Sequence, residues 1–414
     1  MNNFKYAINS LKRRKGINSI IFLQVILGIF FLSFSTSKKI ELDNNLKQVN
    51  HVLKDRNVYG FVDKSDENNL IQNQFKQENS YDRLNEFYNF LTTNKKFQFV
   101  SFKEEAVFID DFKGTDNLLL SNDKVKFKGL DQPLSNLKGF FIDKNFLNHF
   151  HFKVEKGRSF VEDDFIKGSN KRIPVVLGDN YKKLYKIGDE IRGNIQHLET
   201  FVIIGFLEKN YYFVKGINSL EPINLDNYMI IPYQNPIPKD EFFIGNFDTR
   251  IIHSFIITNN KEETMNLIQE KSRNLNLYTF NLVSYKDKLS NIVEFISSET
   301  KYTGFLFSII TLFSILGIVT SIMNSIQHRM KEFGVHILVG ATLKDITLRI
   351  IIETAIVVIA GFLISTLLAY LLLGNISYIA WTFLTTIILI IVICVIPIYK
   401  MIRIDVNTLI KGKE

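Results

Sequence analysis

The sequence predicts an α-helical membrane protein with four transmembrane helices and a large mixed α/β extracytoplasmic domain between the first and second helix. Three observations support this fold class. A long apolar stretch lies near the N-terminus, further apolar stretches fill the last quarter of the chain, and a polar region rich in Asn, Lys, Asp and Phe separates them. A helix of about 20 apolar residues crosses a bilayer core of about 30 Å.

The first predicted span covers residues 17–36 and contains no charged residue. A basic flank precedes it, with Lys12, Arg13, Arg14 and Lys15 in succession. Because cytoplasmic flanks carry an excess of Lys and Arg, the N-terminus is expected in the cytoplasm. A cleavable signal peptide is the alternative, but the apolar core is long for one, so an uncleaved anchor is favoured.

The region 37–300 contains no stretch that is apolar enough to span a membrane. Charged segments with apolar residues on one helical face, 38–56 and 281–300, predict stalk helices at both ends of the domain. Between them, short apolar runs bounded by Gly or Pro indicate strands, and longer periodic runs indicate helices. Strands are predicted at 173–178, 200–205 and 228–232, and helical segments at 179–185 and 261–275. The many aromatic residues are expected mainly to fill the core, with a ligand surface as the alternative.

Several function classes are disfavoured. The net charge of +8 could indicate a nucleic-acid partner, but the densest basic cluster adjoins an apolar span and is better explained as a topology signal. The sequence has no P-loop and no metalloprotease or nucleophile-elbow motif, so neither a catalytic nor a cofactor site is expected. His149 and His151 are close in sequence, but two histidines alone rarely hold a metal, and no metal site is predicted.

The remaining spans are predicted at 301–326, 346–373 and 378–399. In the second span, Ser314, Gly317 and Ser321 form a stripe of small residues that would let another helix approach closely. Counting Lys and Arg on each side places both termini in the cytoplasm and the polar domain outside it. The predicted order is a cytoplasmic N-terminus (1–16), span 1 (17–36), the extracytoplasmic domain (37–300), span 2 (301–326), a cytoplasmic segment (327–345), span 3 (346–373), an external turn (374–377), span 4 (378–399) and a cytoplasmic tail (400–414).

The segment 327–345 carries several charges that a bilayer core would reject, so it is expected outside the membrane. Gly334 and Gly340 interrupt it, which predicts a short amphipathic helix, or two fragments, with sharp ends. An ordinary solvated loop is the alternative. Within the third span, Glu353 lies four residues after Arg349. This intramembrane charge has either a functional role or a structural one as an (i, i+4) ion pair, and the pair is favoured.

This part of the chain resembles the junction between the second and third helices of MacB/FtsX-type ABC transporter permeases, most closely the MacB branch without a fused ATPase. The matching residues are Met323, Asn324, Arg329, Glu332, Gly334, Gly340, Ala341, Asp345, Ile346, Glu353 and Gly361. The motifs around Gly157–Asp164 and Val176–Gly178 also resemble the family's outer domain. One departure occurs at His336 and Ile337, where the family usually carries Arg or Lys.

The resemblance implies that the segment docks on a cytoplasmic ATPase. ATPase coupling is thereby assigned to Arg329, Glu332, Phe333, Gly334, Gly340, Ala341 and Asp345. It also implies a complex of two permeases, identical or related, with a partner ATPase that binds ATP and Mg²⁺, in the cytoplasmic (inner) membrane of a bacterium. Membrane lipid surrounds the spans.

ATP hydrolysis would drive motion of the outer domain by mechanotransmission, for export of an antimicrobial, a peptide or a lipid-linked substrate. Lipoprotein release and activation of a cell-wall hydrolase are alternatives within the family. Outside it, the rival is a membrane sensor whose outer domain binds a ligand and signals to a kinase. A neighbouring ATPase gene would support the transporter, and a histidine kinase gene alone would support the sensor.

Overall fold

The computed structural model describes residues 3–13, 15–53, 56–63, 79–127, 132–150, 153–167, 172–216, 219–374 and 376–402. The predicted tail beyond residue 402, Arg14 of the basic flank, His151 and Asn375 of the predicted turn lie outside the described residues. The chain divides into two compact units. Residues 45–292 form one, here called the α/β unit, and residues 1–44 with 293–414 form the other, here called the helical unit.

The α/β unit is built from strands and short helices. Its strands are β1 (Val58–Asp63), β2 (Gln98–Ile109), β3 (Leu119–Val125), β4 (Leu134–Ile142), β5 (Val154–Gly157), β6 (Arg172–Leu177), β7 (Glu190–Asn194), β8 (Leu198–Leu207), β9 (Tyr212–Gly216), β10 (Ser219–Asn224), β11 (Met229–Pro232), β12 (Ser254–Ile257) and β13 (Phe280–Ser284). The helices that lie entirely within this unit are α3 (Ser80–Thr93), α4 (Lys144–His149), α5 (Phe243–Ile252) and α6 (Lys261–Asn274). The predicted strands are confirmed as β6, β8 and β11, and the predicted helix 261–275 as α6.

Strand β2 organises the sheet. Its first residues, Gln98–Ser101, pair with β12, and β12 continues through β1 to β13. The rest of β2, Phe102–Ile109, pairs with β4, and its last two residues also pair with β7. The pairing β2–β7–β8–β6–β11–β4–β2 closes a ring of six strands, in which β6–β8 and β4–β11 are parallel. One long strand therefore joins a ring to an open sheet.

Three apolar clusters fill this unit, and each of them contains several aromatic side chains. Around Phe102, ring centroids of Phe213 and Phe255 lie at 5.1 and 4.4 Å. A second cluster includes Val175, Phe201 and Ile231, and a third packs α3, α5 and α6 on the open sheet. The aromatic residues thus fill the core, as the sequence predicted.

Two predictions in this unit were wrong. Residues 179–185 form a short 3₁₀ turn at Asp179–Tyr181 followed by further turns, because the backbone N–H groups of Tyr181, Lys182 and Leu184 donate to carbonyls three residues earlier. The second stalk helix does not begin at 281, since Phe280–Ser284 is strand β13, paired with β1. Leu282 is buried in the third cluster, and tertiary pairing there outweighs the helical periodicity of the following residues.

A buried carboxylate begins α4. The Asp143 carboxylate accepts a hydrogen bond at 2.8 Å from the backbone N–H of Phe146, and its other oxygen has no partner among the described residues. Burial raises the pKa of Asp143 to about 7. The folded domain therefore holds this proton more tightly than the unfolded chain does.

Stability of the α/β unit is therefore expected to depend on pH through Asp143. Because its folded pKa lies above its unfolded value near 3.8, the group's stabilising contribution is complete below the unfolded value and is lost as pH rises through about 7. Urea unfolding followed by near-ultraviolet circular dichroism should give a higher midpoint at pH 6 than at pH 8. Asp143→Asn keeps a capping oxygen and should flatten this difference, and an unchanged pH slope would refute the assignment.

The helical unit contains the apolar helices. Its elements are α1 (Asn3–Arg13), α2 (Lys15–Leu53), α7 (Tyr285–His328), α8 (Met330–Leu338), α9 (Leu343–Leu373) and α10 (Ile379–Ile402), of which α2 and α7 extend into the α/β unit. In the described part of the chain, three helical segments are long and apolar enough to cross a membrane, namely Ser19–Leu53, Gly304–His328 and Leu343–Leu373. The apolar stretch Ile379–Val395 in α10 is shorter. The continuous α2 confirms a helix across the predicted first span and first stalk.

Small residues allow these helices to pack closely. A Cβ atom built on Gly361 of α9 would lie 2.5 Å from the Val25 side chain, and one on Gly317 of α7 would lie 2.6 Å from that of Gln24. The Ser314 side chain lies near Gly28. Two of the three predicted packing residues, Ser314 and Gly317, therefore face α2, and Ser321 is half-buried in the same helix as they are.

Candidate coupling site

The predicted short helix after α7 is α8, and both of its ends are sharply defined. Arg329 precedes it, and Gly340 follows it with φ of +100°, a conformation that strains any residue with a side chain. Thr342 then caps α9, and its hydroxyl and amide both bond Asp345, at 2.7 and 2.9 Å. The prediction that Gly340 ends the helix is confirmed. Gly334 does not interrupt α8, but lies buried inside it.

Four charged side chains join α8 to α9. Nη1 of Arg329 donates to both carboxylate oxygens of Glu353, at 2.9 and 3.2 Å, and its Nε donates to Glu332 at 3.3 Å. Nη2 of Arg349 donates to Glu332 at 3.1 Å, and its Nε donates to Glu353 at 3.3 Å. Each arginine thus contacts both acids. We call Arg329, Glu332, Arg349 and Glu353 the ion cluster.

The ion cluster is largely shielded from solvent. The Arg329 and Arg349 side chains are 3% and 6% exposed, while Glu353 is mostly buried and Glu332 is the most open member. Buried charges are tolerated when they are paired and hydrogen-bonded, and removing one partner from such a pair typically costs about 3–5 kcal/mol. Two positive and two negative charges balance, and their hydrogen bonds connect α8 to α9.

Both arginines lower the pKa of Glu332. Burial alone would raise its pKa, but the nearby positive charges of Arg329 and Arg349 and their hydrogen bonds outweigh burial and lower the pKa below its ordinary value. The carboxylate therefore stays ionised at neutral pH and keeps both arginines bound. His336 lies one turn further along α8, with its Nε2 at 3.8 Å from Glu332.

The N-terminal helix α1 also contacts the cluster. The guanidinium of Arg349 lies 5.3 Å from the centre of the Tyr6 ring, and its Nη2 donates to the Tyr6 carbonyl at 3.4 Å. The Tyr6 and His336 rings meet edge to face at 5.6 Å. Residues from α1, α8 and α9 therefore meet at one polar centre. The contacts of Tyr6 were not predicted from the sequence.

Glu353 forms the ion pair that the sequence favoured and a second pair that it did not predict. The predicted (i, i+4) pair with Arg349 is present, but Arg329 makes the shorter contact, from 24 positions earlier in the chain. A search for neighbours within one helix cannot find such a partner. The pairing of Arg329 with Glu353 was therefore missed, although both residues were singled out.

The seven residues assigned to ATPase coupling do not all face the same way. Arg329, Phe333, Gly334 and Ala341 are buried, and Asp345 caps α9. Arg329 lies 4.7 Å from the centre of the Phe333 ring. Their structural surroundings make them supports of α8. Glu332 and Gly340 are the two of the seven that are exposed.

An exposed apolar face of α8 lies on the side of the helix opposite the buried Phe333. Val335 is exposed, Leu338 is 66% exposed and Val339, directly after the helix, is 83% exposed. We call these three residues the apolar patch. Their spacing of three and four positions puts them on one side of a helix, opposite Phe333, so helical periodicity could have identified them.

Comparisons with known proteins match two regions of the chain. A family model for the MacB-like periplasmic core domain matches residues 69–275, half of the chain. A model for the FtsX-like permease C-terminal region matches residues 304–406. The second region includes α8, the ion cluster and the apolar patch.

One similar protein is an uncharacterized ABC transporter permease, YknZ, of Bacillus subtilis (strain 168). It is 22% identical over 236 residues, and the match covers 55% of this chain and 55% of the relative. The match thus spans about half the length of that relative.

Two solved structures resemble the chain at 12% identity each. The periplasmic region of MacB from Actinobacillus actinomycetemcomitans gives a TM-score of 0.34, with 58% of this chain and 95% of that chain covered. The extracellular domain of a noncanonic ABC-type transporter YknZ from Gram-positive bacteria gives 0.31, with 55% and 100% covered.

Proposed function

The chain belongs to the family of MacB/FtsX-type ABC transporter permeases, and from this membership we propose that it passes the motion of a partner ATPase to its own α/β unit. The observation that carries the proposal is the construction of α8. The ion cluster and the buried Phe333 hold this helix to α9, and the side opposite Phe333 presents the apolar patch. A helix that is held to its neighbour and also presents an exposed apolar side suits a contact that transmits force.

The transmission begins at the apolar patch. A partner ATPase that closes on ATP presses on α8, and the ion cluster prevents α8 from sliding along α9. Packed elements move as units because close-packed interiors deform little. The long helices α2 and α7 run on into the α/β unit and carry the motion there.

ATP and Mg²⁺ bind to the partner, and this chain contributes no catalytic residue. The working complex contains two permeases, identical or related, on two ATPase subunits. The transported material is an antimicrobial, a peptide or a lipid-linked molecule. Residues 37–300 lie outside the cytoplasm of a bacterial cell, and the fourth span is formed by α10.

This topology is tested with cysteines introduced into a Cys394→Ser background. A membrane-impermeant thiol reagent applied to whole cells should label a cysteine that replaces the exposed Lys183 of the α/β unit. It should not label a cysteine that replaces Lys344 in the first turn of α9. Labelling of position 344 in intact cells would contradict the proposed orientation.

ATP hydrolysis tests the function. The purified chain should hydrolyse no ATP, because its sequence has no P-loop. Co-expression with the ABC ATPase subunits of the same organism should give a stable complex with one of them, with a hydrolysis rate that changes when the permease is present. Hydrolysis by the chain alone, or the absence of a complex with any of these ATPases, would reject the proposal.

A further inference from the structure

A cavity of about 630 Å³ lies within the α/β unit, beside the last turns of α2 and the turn between β8 and β9. This volume falls within the range of about 300–1,000 Å³ that is typical of small-molecule sites. Residues of α2, the segment after α4 and the start of β9 line it. We call it the basic cavity.

The charges around the basic cavity are unbalanced. Among the residues that the structure describes, four cations line it together with one carboxylate, Glu208; the cations are Lys47, Arg56, Lys153 and Lys209. Glu208 lies 3.8 Å from Lys153, while Lys47 and Lys209 have no ion partner among the residues that the structure describes. Cations that share a concave surface with too few acids attract an anion.

The wall of the basic cavity is aromatic. Phe150 and Phe213 are buried, with ring centroids 5.0 Å apart, and Tyr211 lies beside them. The cation Arg56 contacts this aromatic wall. Its guanidinium lies 5.3 Å from the centre of the Phe150 ring and donates to the His149 carbonyl at 2.7 Å. The cavity therefore combines an apolar wall with a cationic rim.

We propose that the basic cavity binds an anionic amphiphile, a molecule with an acidic head group and an acyl body. The head group lies against Lys47 and Lys209, and the acyl body lies along the half-buried Val52 and Tyr211, which pack against the cluster that contains Phe150 and Phe213. A small inorganic anion would leave the apolar surface of Val52 and Tyr211 in water, and an uncharged lipid would gain nothing from the cations that line the cavity. The ligand comes either from the bilayer or from solution. This site is independent of the proposed coupling to an ATPase.

Photolabelling of the full-length chain in nanodiscs tests the proposal. One arm adds oleate that carries a diazirine, another uses a phosphatidylglycerol bilayer whose acyl chain carries it, and a third adds the matching diazirine oleyl alcohol. Labelled peptides are mapped by mass spectrometry. The variant Lys47→Glu/Lys209→Glu removes the unpaired cations, and Lys124→Glu/Lys183→Glu makes the same charge change at exposed lysines that do not line the cavity.

Oleate or phosphatidylglycerol is expected to label peptides that contain Phe150 or Tyr211, and excess unlabelled oleate, but not inorganic phosphate, should compete. The cavity variant should reduce this labelling at least fivefold, while the control variant should leave it unchanged. Labelling from the bilayer arm assigns the ligand to membrane lipid, and labelling from the oleate arm alone assigns it to a soluble amphiphile. No labelling at these peptides, equal labelling by oleyl alcohol, or labelling that survives in the cavity variant would overturn the proposal.

Discussion

Replacing Glu353 with alanine is expected to destabilise the helical unit by about 3–5 kcal/mol. The substitution removes the acid that pairs with Arg329 at 2.9 Å and with Arg349 at 3.3 Å, and it leaves two buried guanidiniums facing one remaining acid. Cys394 is the single cysteine of the chain and is buried in α10. Its reaction with a thiol-reactive dye during heating therefore reports unfolding of this unit directly.

The matched control is Glu41→Ala, which breaks an exposed pair with Lys38 and should change stability by about 1 kcal/mol or less. A second variant separates charge from packing. Arg329→Met/Glu353→Leu removes one whole pair, so it should recover most of the lost stability, because apolar replacement of a complete buried pair is often neutral. Similar melting temperatures for Glu353→Ala and the control would show that the ion cluster does not hold α8.

Charging the apolar patch is expected to abolish stable binding of the ATPase. Leu338→Asp/Val339→Asp places two carboxylates where an apolar contact would form, and loss of a central contact of this kind costs about 2 kcal/mol or more, roughly a thirtyfold rise in Kd. Both side chains are exposed, so the fold itself should tolerate the change within about half a kilocalorie for each residue. Co-purification with the ATPase and the Cys394 melting curve measure the two effects.

Val161→Asp/Leu198→Asp is the matched control, since both positions are exposed apolar residues of the α/β unit. It should leave ATPase binding unchanged. If the patch variant retained wild-type affinity, the apolar patch would have no part in the contact. If it lost binding together with a large drop in melting temperature, the loss would reflect unfolding and would count against the patch as a separable contact surface.

The sequence was informative where structure follows local periodicity. Residues 346–373 are mostly apolar, and residues 261–275 repeat at helical spacing, so α9 and α6 could be predicted from neighbouring residues alone. The same method failed at 281–284, where Leu282 and its neighbours pair with a strand more than 200 positions earlier. Periodicity contains no information about such a partner.

At the candidate site, too, local features were predicted from the sequence and long-range contacts were not. Gly340 and the sharp end of α8 were predicted, because glycine alone adopts the required backbone conformation without strain. The contact between Arg329 and Glu353 was not predicted, since it depends on how α8 folds back toward α9. The packing of α8 against α9, and not the residue type, decides which acid the buried Arg329 side chain reaches.

Site-specific photo-crosslinking tests most directly whether α8 contacts an ATPase through the apolar patch. The photoreactive residue benzoylphenylalanine is placed at Val339 and, as a control, at Val161, in cells that also express the ABC ATPase with which the chain co-purifies. The account predicts a covalent adduct with the ATPase from position 339 and none from position 161. An intact, folded chain that forms no adduct from position 339 would contradict it.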